Sequence, residues 1–431
     1  MKPPVSVRTL FIAAAVGIPA AVGALVFTSL LHGAEALLWH DLPDAANWDE
    51  PPWWYVLLVP VLAGAVVALA LRMPGGGGHS PLQGIGLEPP RPLELPSVLL
   101  AALASLAAGI VLGPEAPVMA VGLFVGVLGA RLLRPPKAEA QAVVLAGAFA
   151  AMATLFAGPL TTLLMLFEFI LVGGAVAAPA VVPLLVPGFL AAGVGGLVFT
   201  GIHDWPGVRE ASLHTFDVPA YDTVQILDLA WTVVTAAAAA AVVSLSRDLA
   251  KLTATRAAAR PVVSLLTGGL AVGLLAVLFR ELADRPVDLV LFSGQASLSD
   301  IAGEATAGVL VALVVAKGLA YAISLAAGFR GGPIFPAVTL GAAVGVLGSL
   351  ALPDFAVAPG IVAGIAAGAA AAMRLPFFGA LLAALLVGLT ATGTAPIAVI
   401  AAITGWLVAL RLDPPQAAPA AEPAPTRGGA G

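Results

Sequence analysis

The residue best placed to do chemistry is Glu115, which stands between Pro114 and Pro117 in the otherwise apolar stretch VLGPEAPVMA (111–120). An ionisable side chain at such depth in a membrane is costly, which marks it as a site. The glycine and two prolines break the helix. A helix restarting at Pro117 turns its unpaired N–H groups and the positive end of its dipole back towards Glu115 and any anion beside it. The chemistry this allows is that of a protonatable gate: charged, the carboxylate takes an anion's position, and protonated, it withdraws. The plainer alternative is a packed carboxyl group bonded to nearby amides.

Two further breaks, at 75–81 and 328–336, also place a helix N-terminus after glycine-rich backbone. Convergent N-termini replace an anion's water shell with N–H groups and dipole potential, without a full charge that would hold the ion too tightly. Glycine and proline can equally serve tight helix crossings. Glu168, in LLMLFEFILVGG, is the other acid inside an apolar run and is read either as a proton-path residue or as a helix end without a role. Arg330 in the third break either attracts anions or snorkels to the interface. His79 sits in the first break, where an imidazole could titrate. GGGG (75–78) is not followed by Gly-Lys-Ser/Thr, and neither HExxH nor GxSxG occurs, so the chain is read as a non-enzyme without a cofactor.

These residues need a membrane to sit in, and the composition supplies one. Of 431 residues 60% are hydrophobic and 10% charged, against about 25% charged in soluble domains, which indicates an all-α polytopic membrane protein. The chain has no cysteine, so disulfides, thiolate metal sites and cysteine nucleophiles are excluded. A net charge of -5 without a basic block argues against nucleic acid as a partner.

The run after Lys2 and Arg8 is read as a first membrane helix to about Leu31 rather than a signal peptide. Ser80-Pro81 reads as the start of a new helical segment. Basic loops at 131–137 and at Arg247–Arg260 are expected in the cytoplasm, with the termini. The short runs 141–156 and 159–173 fall below the ~20 residues of a full span, so half-membrane or steeply packed helices are expected. The chain divides into a first membrane repeat (1–202), an external connection (203–223), a second repeat (224–411) and a disordered tail (412–431). Two halves with broken helices in corresponding places predict an inverted-repeat transporter with its site near the midplane.

The three breaks, in order and spacing, resemble the signature segments of the CLC family of chloride channels and chloride/proton antiporters. LGPEAP (112–117) is similar to the family's G-R/K-E-G-P, GGPIFP (331–336) to G-G-I-F-x-P, and GGGHSP (76–81) to G-S-G-I-P. FAGPLTTLLMLFEF (156–169) and MRLPFFGALLAALL (373–386) resemble two further family segments, so the likeness covers roughly 8–410. It implies a homodimer in the cell membrane with one anion pathway per subunit and Glu115 as the external gate. It further implies an anion site lined by backbone near Gly78, His79 and Ser80 and near Ile334 and Phe335. The family's anion-coordinating serine falls on Gly78, although Ser80 could substitute. Pro333 stands where an N–H is often supplied. The family's inner proton glutamate falls on Phe169, leaving Glu168 as the possible proton-path residue, and its tyrosine of the last helix has no match.

The expected function is transport of a small inorganic anion, most simply chloride, gated by protonation of Glu115 and coupled or not to protons. A passive anion channel and a CLC-fold protein that binds anions or senses pH with little flux are the alternatives.

Overall fold

A computed structural model of the chain describes residues 5–413 apart from 85, 157, 173–177, 203–217, 220, 222 and 389–392. Most of the expected external connection and all of the tail beyond Asp413 thus lie outside the described residues. Fourteen helices of ten or more residues are described: α1 (Val7–Ala36), α2 (Trp53–Ala70), α3 (Leu95–Ala107), α4 (Glu115–Leu133), α5 (Ala140–Leu155), α6 (Pro159–Val172), α7 (Ala178–Ile202), α8 (Ile226–Ala259), α9 (Pro261–Ala283), α10 (Ala307–Ala327), α11 (Ile334–Ala351), α12 (Val357–Met373), α13 (Pro376–Leu386) and α14 (Thr394–Leu412). Ten helical segments among the described residues are long and apolar enough to cross a membrane.

Others are too short. α3 has 13 residues and α13 has 11, or about 20 Å and 16 Å at 1.5 Å per residue, well under a ~30 Å hydrocarbon core. Short helices can stay at that depth only because their ends are buried against other helices, which satisfy their free backbone groups.

Contacts between helix ends set the two faces of the bundle. Ser6, the N-cap of α1, donates from its hydroxyl to Glu139 at 2.7 Å, and Arg8 donates to the Leu133 carbonyl at 3.2 Å. At the other end of the bundle Trp39 Nε1 donates to the Ala107 carbonyl at 3.0 Å and Arg280 to the Pro51 carbonyl at 2.8 Å. Since α9 leads from Pro261 to that second face, the basic stretches at 131–137 and 247–260 share the first face with residue 6. They are not both loops, however: α8 continues unbroken to Ala259, so Arg247, Lys251 and Arg256 are helical. Nothing between Ile226 and Ala259 breaks a helix, and cations towards a C-terminus suit its dipole.

The two halves run in opposite senses, as an inverted repeat requires. α3 rises from the basic face and α4 returns to it, whereas α11 ends by Pro353, whose carbonyl accepts from Trp231 near the start of α8 on the opposite face. Close backbone approach at glycines builds both halves. Gly122 and Gly126 of α4 lie against the α5 backbone at Gly147 and Val144, and Gly341 and Gly345 of α11 lie against Gly364 and Gly360 of α12, leaving no room for a Cβ. Large apolar side chains such as Leu62, Leu69, Leu270, Leu274 and Leu278 face outward, as a lipid-facing surface does.

One expected helix start is corrected. Ser80-Pro81 opens only a three-residue 3-10 turn, Pro81–Gln83, closed by Gly84 at φ 89°. Gly86, Pro89 and Pro90 then delay the next helix until Leu95.

Candidate functional site

The breaks before α4 and α11 meet. Gly113 donates its N–H to the Gly332 carbonyl at 2.8 Å, and Gly332 returns the bond at 2.5 Å, an isolated antiparallel bridge in an otherwise helical region. Each helix then starts in the same way, with proline at the N-cap (Pro114, Pro333) and again at the third helical position (Pro117, Pro336). A helix ordinarily leaves four unbonded N–H groups at its start. Proline removes two of the four, so only Glu115 and Ala116 at one end, and Ile334 and Phe335 at the other, present donors.

Glu115 takes one of them. Its side chain is fully buried, and Oε1 accepts the Phe335 N–H at 2.8 Å across the two halves of the chain. Oε2 is buried without a partner among the described residues. Both bridging positions must be glycine for this to happen, because a Cβ at Gly332 or at Gly113 would fall on the carboxyl group. The sequence expectation that Glu115, Ile334 and Phe335 are neighbours therefore corresponds to one compact arrangement.

Two serines hold the breaks in register. Ser324 of α10 accepts the Val111 N–H at 3.2 Å, and Ser105 of α3 accepts the Arg330 N–H at 3.0 Å. The relation is reciprocal: each serine lies eight residues before its own half's bridging glycine and bonds the residue two before the other's. Tyr321, fully buried on α10, donates to the Pro333 carbonyl at 2.9 Å and so fixes the first turn of α11.

The glycine-rich first break takes a different part. Gly75, Gly76, Gly77 and Gly78 all have positive φ; Gly78 donates to the Gly75 carbonyl at 2.9 Å, Gly76 to that of Met73 at 3.1 Å, and Gly77 to the Ser97 hydroxyl at 3.4 Å. Gly78 thus has no N–H left for an anion. Gly78 and the exposed His79 line a cavity of about 290 Å³ that reaches Ala116 and Pro117 at the start of α4 and includes Arg330. Arg330 donates to the Gly76 carbonyl at 3.2 Å, while its Nε is buried without an acceptor among the described residues. Ser80 stands apart at the 3-10 turn, where its carbonyl accepts from Gln83 at 3.0 Å and its side chain caps nothing.

Glu168 is also buried, in a second place. Its two oxygens accept the N–H groups of Phe377 and Phe378, at 2.8 and 2.6 Å, so it closes the start of α13 from α6. Three aromatic rings separate it from the Glu115 arrangement: Phe335 and Phe156 lie 5.8 Å apart, and Phe156 and Phe378 5.3 Å. All three are buried.

A family model described as voltage gated chloride channel matches residues 86–409, which contain both bridged helix starts, Glu115 and Glu168. The chain belongs to the CLC family. Among curated relatives, YfeO of Salmonella newport, provisionally described as an ion-transport protein, is 31% identical over 325 residues, 73% of this chain and 73% of its own. YfeO of Escherichia fergusonii, described in the same way, is 29% identical over 342 residues, 78% of this chain and 77% of its own. Among solved structures, a slow cyanobacterial Cl−/H+ antiporter covers 95% of this chain and 99% of that one at a TM-score of 0.70 and 19% identity. A CLC-type fluoride/proton antiporter covers 94% and 95% at a TM-score of 0.66 and 17% identity. At such identities the two structures speak for the CLC fold.

Phe169, next to Glu168 on α6, is only partly buried and faces a second cavity. A tyrosine does stand against the site, but Tyr321 comes from α10 and not from the last helix. Two signals could have been read in advance. GPEAPVMAVGLFVGVLG (113–129) and GPIFPAVTLGAAVGVLG (332–348) share G-P-x-x-P and V-G-V-L-G, a direct trace of the repeat. The buried Lys317, whose Nζ donates to the carbonyls of Leu289, Val290, Leu291 and Phe292 at 3.0–3.3 Å, was visible as a lone charge in an apolar run.

Proposed function

We propose that this CLC protein moves a small inorganic anion, most simply chloride, across a membrane, and that Glu115 gates the path by protonation. One observation carries the reading: Glu115 Oε1 takes the Phe335 N–H at the start of α11, where a helix N-terminus would otherwise bind a free anion. The carboxylate and the anion compete for the same donor. Protonation removes the charge that holds the carboxyl there, which frees the donor and opens the path. Acid therefore favours conduction. The neighbouring structures' chloride/proton and fluoride/proton exchange is in keeping with a site of this kind.

The proposal places the basic face in the cytoplasm of a cell, following the positive-inside rule, with repeats meeting at the Gly113–Gly332 bridge and two subunits, each with its own path. Proteoliposomes loaded with chloride, with protons recorded at the same time, test it. Chloride efflux that rises as pH falls is expected, and the absence of flux under any gradient would leave an anion-binding protein instead.

A second reading, passive conduction without proton coupling, is favoured by one observation. Glu168 is bonded through both oxygens, and the rings of Phe378, Phe156 and Phe335 lie between it and Glu115. Apolar rings carry no protons. Uphill proton movement driven by a chloride gradient would rule this reading out.

A further inference from the structure

On the basic face a cavity of about 280 Å³ opens between Gln83–Gly84, Phe169 of α6, the end of α12 and the basic part of α8. Its lining carries three cations: Arg247 and Lys251, one turn apart on α8, and Arg374, the left-handed residue that ends α12. One carboxylate reaches into them. Asp413 Oδ2 lies 2.5 Å from Lys251 Nζ and 2.8 Å from Arg374 Nη2. The remaining polar contacts are few: Asp248 pairs with Lys251 at 3.2 Å, Arg247 donates to the Ala372 carbonyl, and Arg374 donates to the carbonyl of Asp413 itself. Among the described residues three positive groups thus face two negative ones.

The hold on Asp413 is weak by construction. The Lys251 and Asp413 side chains keep 38% and 21% of their exposure, and ion pairs open to water gain little and are screened by salt. A carboxylate bridging an ammonium and a guanidinium at hydrogen-bond distance meets the same donors and charge that a free anion would. The cavity also adjoins Phe169, the neighbour of Glu168, so an anion held there stands at the inner approach to the buried helix ends.

We propose that Arg247, Lys251 and Arg374 form an anion-binding site on the basic face, occupied by the Asp413 carboxylate as a tethered surrogate and surrendered by it to a free monovalent anion. The purpose of such a site rests on the transport reading, but its chemistry does not. It concentrates anions at the mouth by charge, and Asp413 sets how much free anion is needed to occupy it.

Bromide is the probe, because anomalous diffraction locates it. Crystals of the full chain are compared at one bromide concentration as wild type, Asp413→Asn and Asp413→Asn/Arg374→Gln, with calorimetric bromide titration of each in detergent. The expected result is an anomalous peak among the three cations in Asp413→Asn, a weaker one in wild type, and none in the double variant. The titration then shows a bromide-binding event gained in Asp413→Asn and lost again with Arg374→Gln. No peak at the three cations in Asp413→Asn, or peaks of equal height in all three proteins, overturns the proposal. Asp413→Ser carries the same test if the asparagine variant fails to fold. Bromide bound there in a protein without liposome flux would sink the transport reading alone, and flux without bromide at this site would sink the present proposal alone.

Discussion

Gly113 and Gly332 exchange main-chain hydrogen bonds in both directions, so the two broken helices of the chain are tied together two residues before each begins. The Glu115 carboxyl group lies against this bridge and reaches across it to Phe335. Carboxyl group and donor belong to opposite halves of the chain, and any relative movement of the halves changes the distance between them.

Gly332→Ala tests that geometry. The added Cβ overlaps Glu115 Oε2, so either the carboxyl group leaves Phe335 or the bridge opens. Overpacking of this kind costs about 1–3 kcal/mol. A lowered melting temperature together with anion efflux that no longer needs acid is the expected outcome; wild-type pH dependence would show that the carboxyl group does not gate.

Glu115→Gln removes the charge and keeps a carbonyl that can accept from Phe335. A glutamine cannot be driven out by charge change, and it does not compete with an anion as a carboxylate does. Efflux should become independent of pH between 5 and 8, where wild-type efflux rises towards acid (about one charge's worth of control). Liposome flux at a series of pH values measures it, and an unchanged profile would remove Glu115 from the gate.

Glu168→Gln separates structure from proton transport. Both carboxylate oxygens accept N–H groups, and an amide can offer only one acceptor while setting an NH2 group against the other donor. A stability loss of about 1–3 kcal/mol follows. If Glu168 only closes the start of α13, the stoichiometry of protons to anions stays as in wild type. A fall in proton movement with anion flux intact would make it a proton-path residue.

Lys317→Met strips the donor from four carbonyls in 289–292, at a cost of about 2–4 kcal/mol. The effect should not stay local. Phe292 donates to the Gly109 carbonyl at 3.0 Å, so loosening this loop reaches the break that leads to Glu115. A lower melting temperature with altered efflux is expected, and hydrogen exchange at Phe292 reports the loosening directly.

Much of this was legible before any coordinates. A carboxylate between two prolines in an apolar stretch has few uses, so Glu115 stood out by its cost alone. Ile334 and Phe335 follow from the resemblance of GGPIFP (331–336) to a signature segment of the CLC family. Gly78 and Ser80 are harder to place, because a glycine run shows that backbone is free to turn and not which way its N–H groups point. Here Gly78 points at Gly75, Gly76 at Met73 and Gly77 at the Ser97 hydroxyl. Tyr321 is not legible for a related reason: its partner, the Pro333 carbonyl, is one of many backbone acceptors that no side-chain pattern announces.

The sequence by itself determined the membrane setting, the broken helices and the residue that could gate them, because hydropathy, proline and a buried charge each act locally on the chain. Only the tertiary structure decided which ends meet. Reciprocal bonds from the Arg330 N–H to Ser105 and from the Val111 N–H to Ser324, the glycine bridge, the ring contacts linking Phe335, Phe156 and Phe378 and the capture of Asp413 by Lys251 and Arg374 all join residues distant in the chain or lying on different helices. Their partners are set by the packing of inverted halves. Glu115 is a costly carboxyl group in the sequence and finds the Phe335 N–H at a helix start only once α11 is folded against α4.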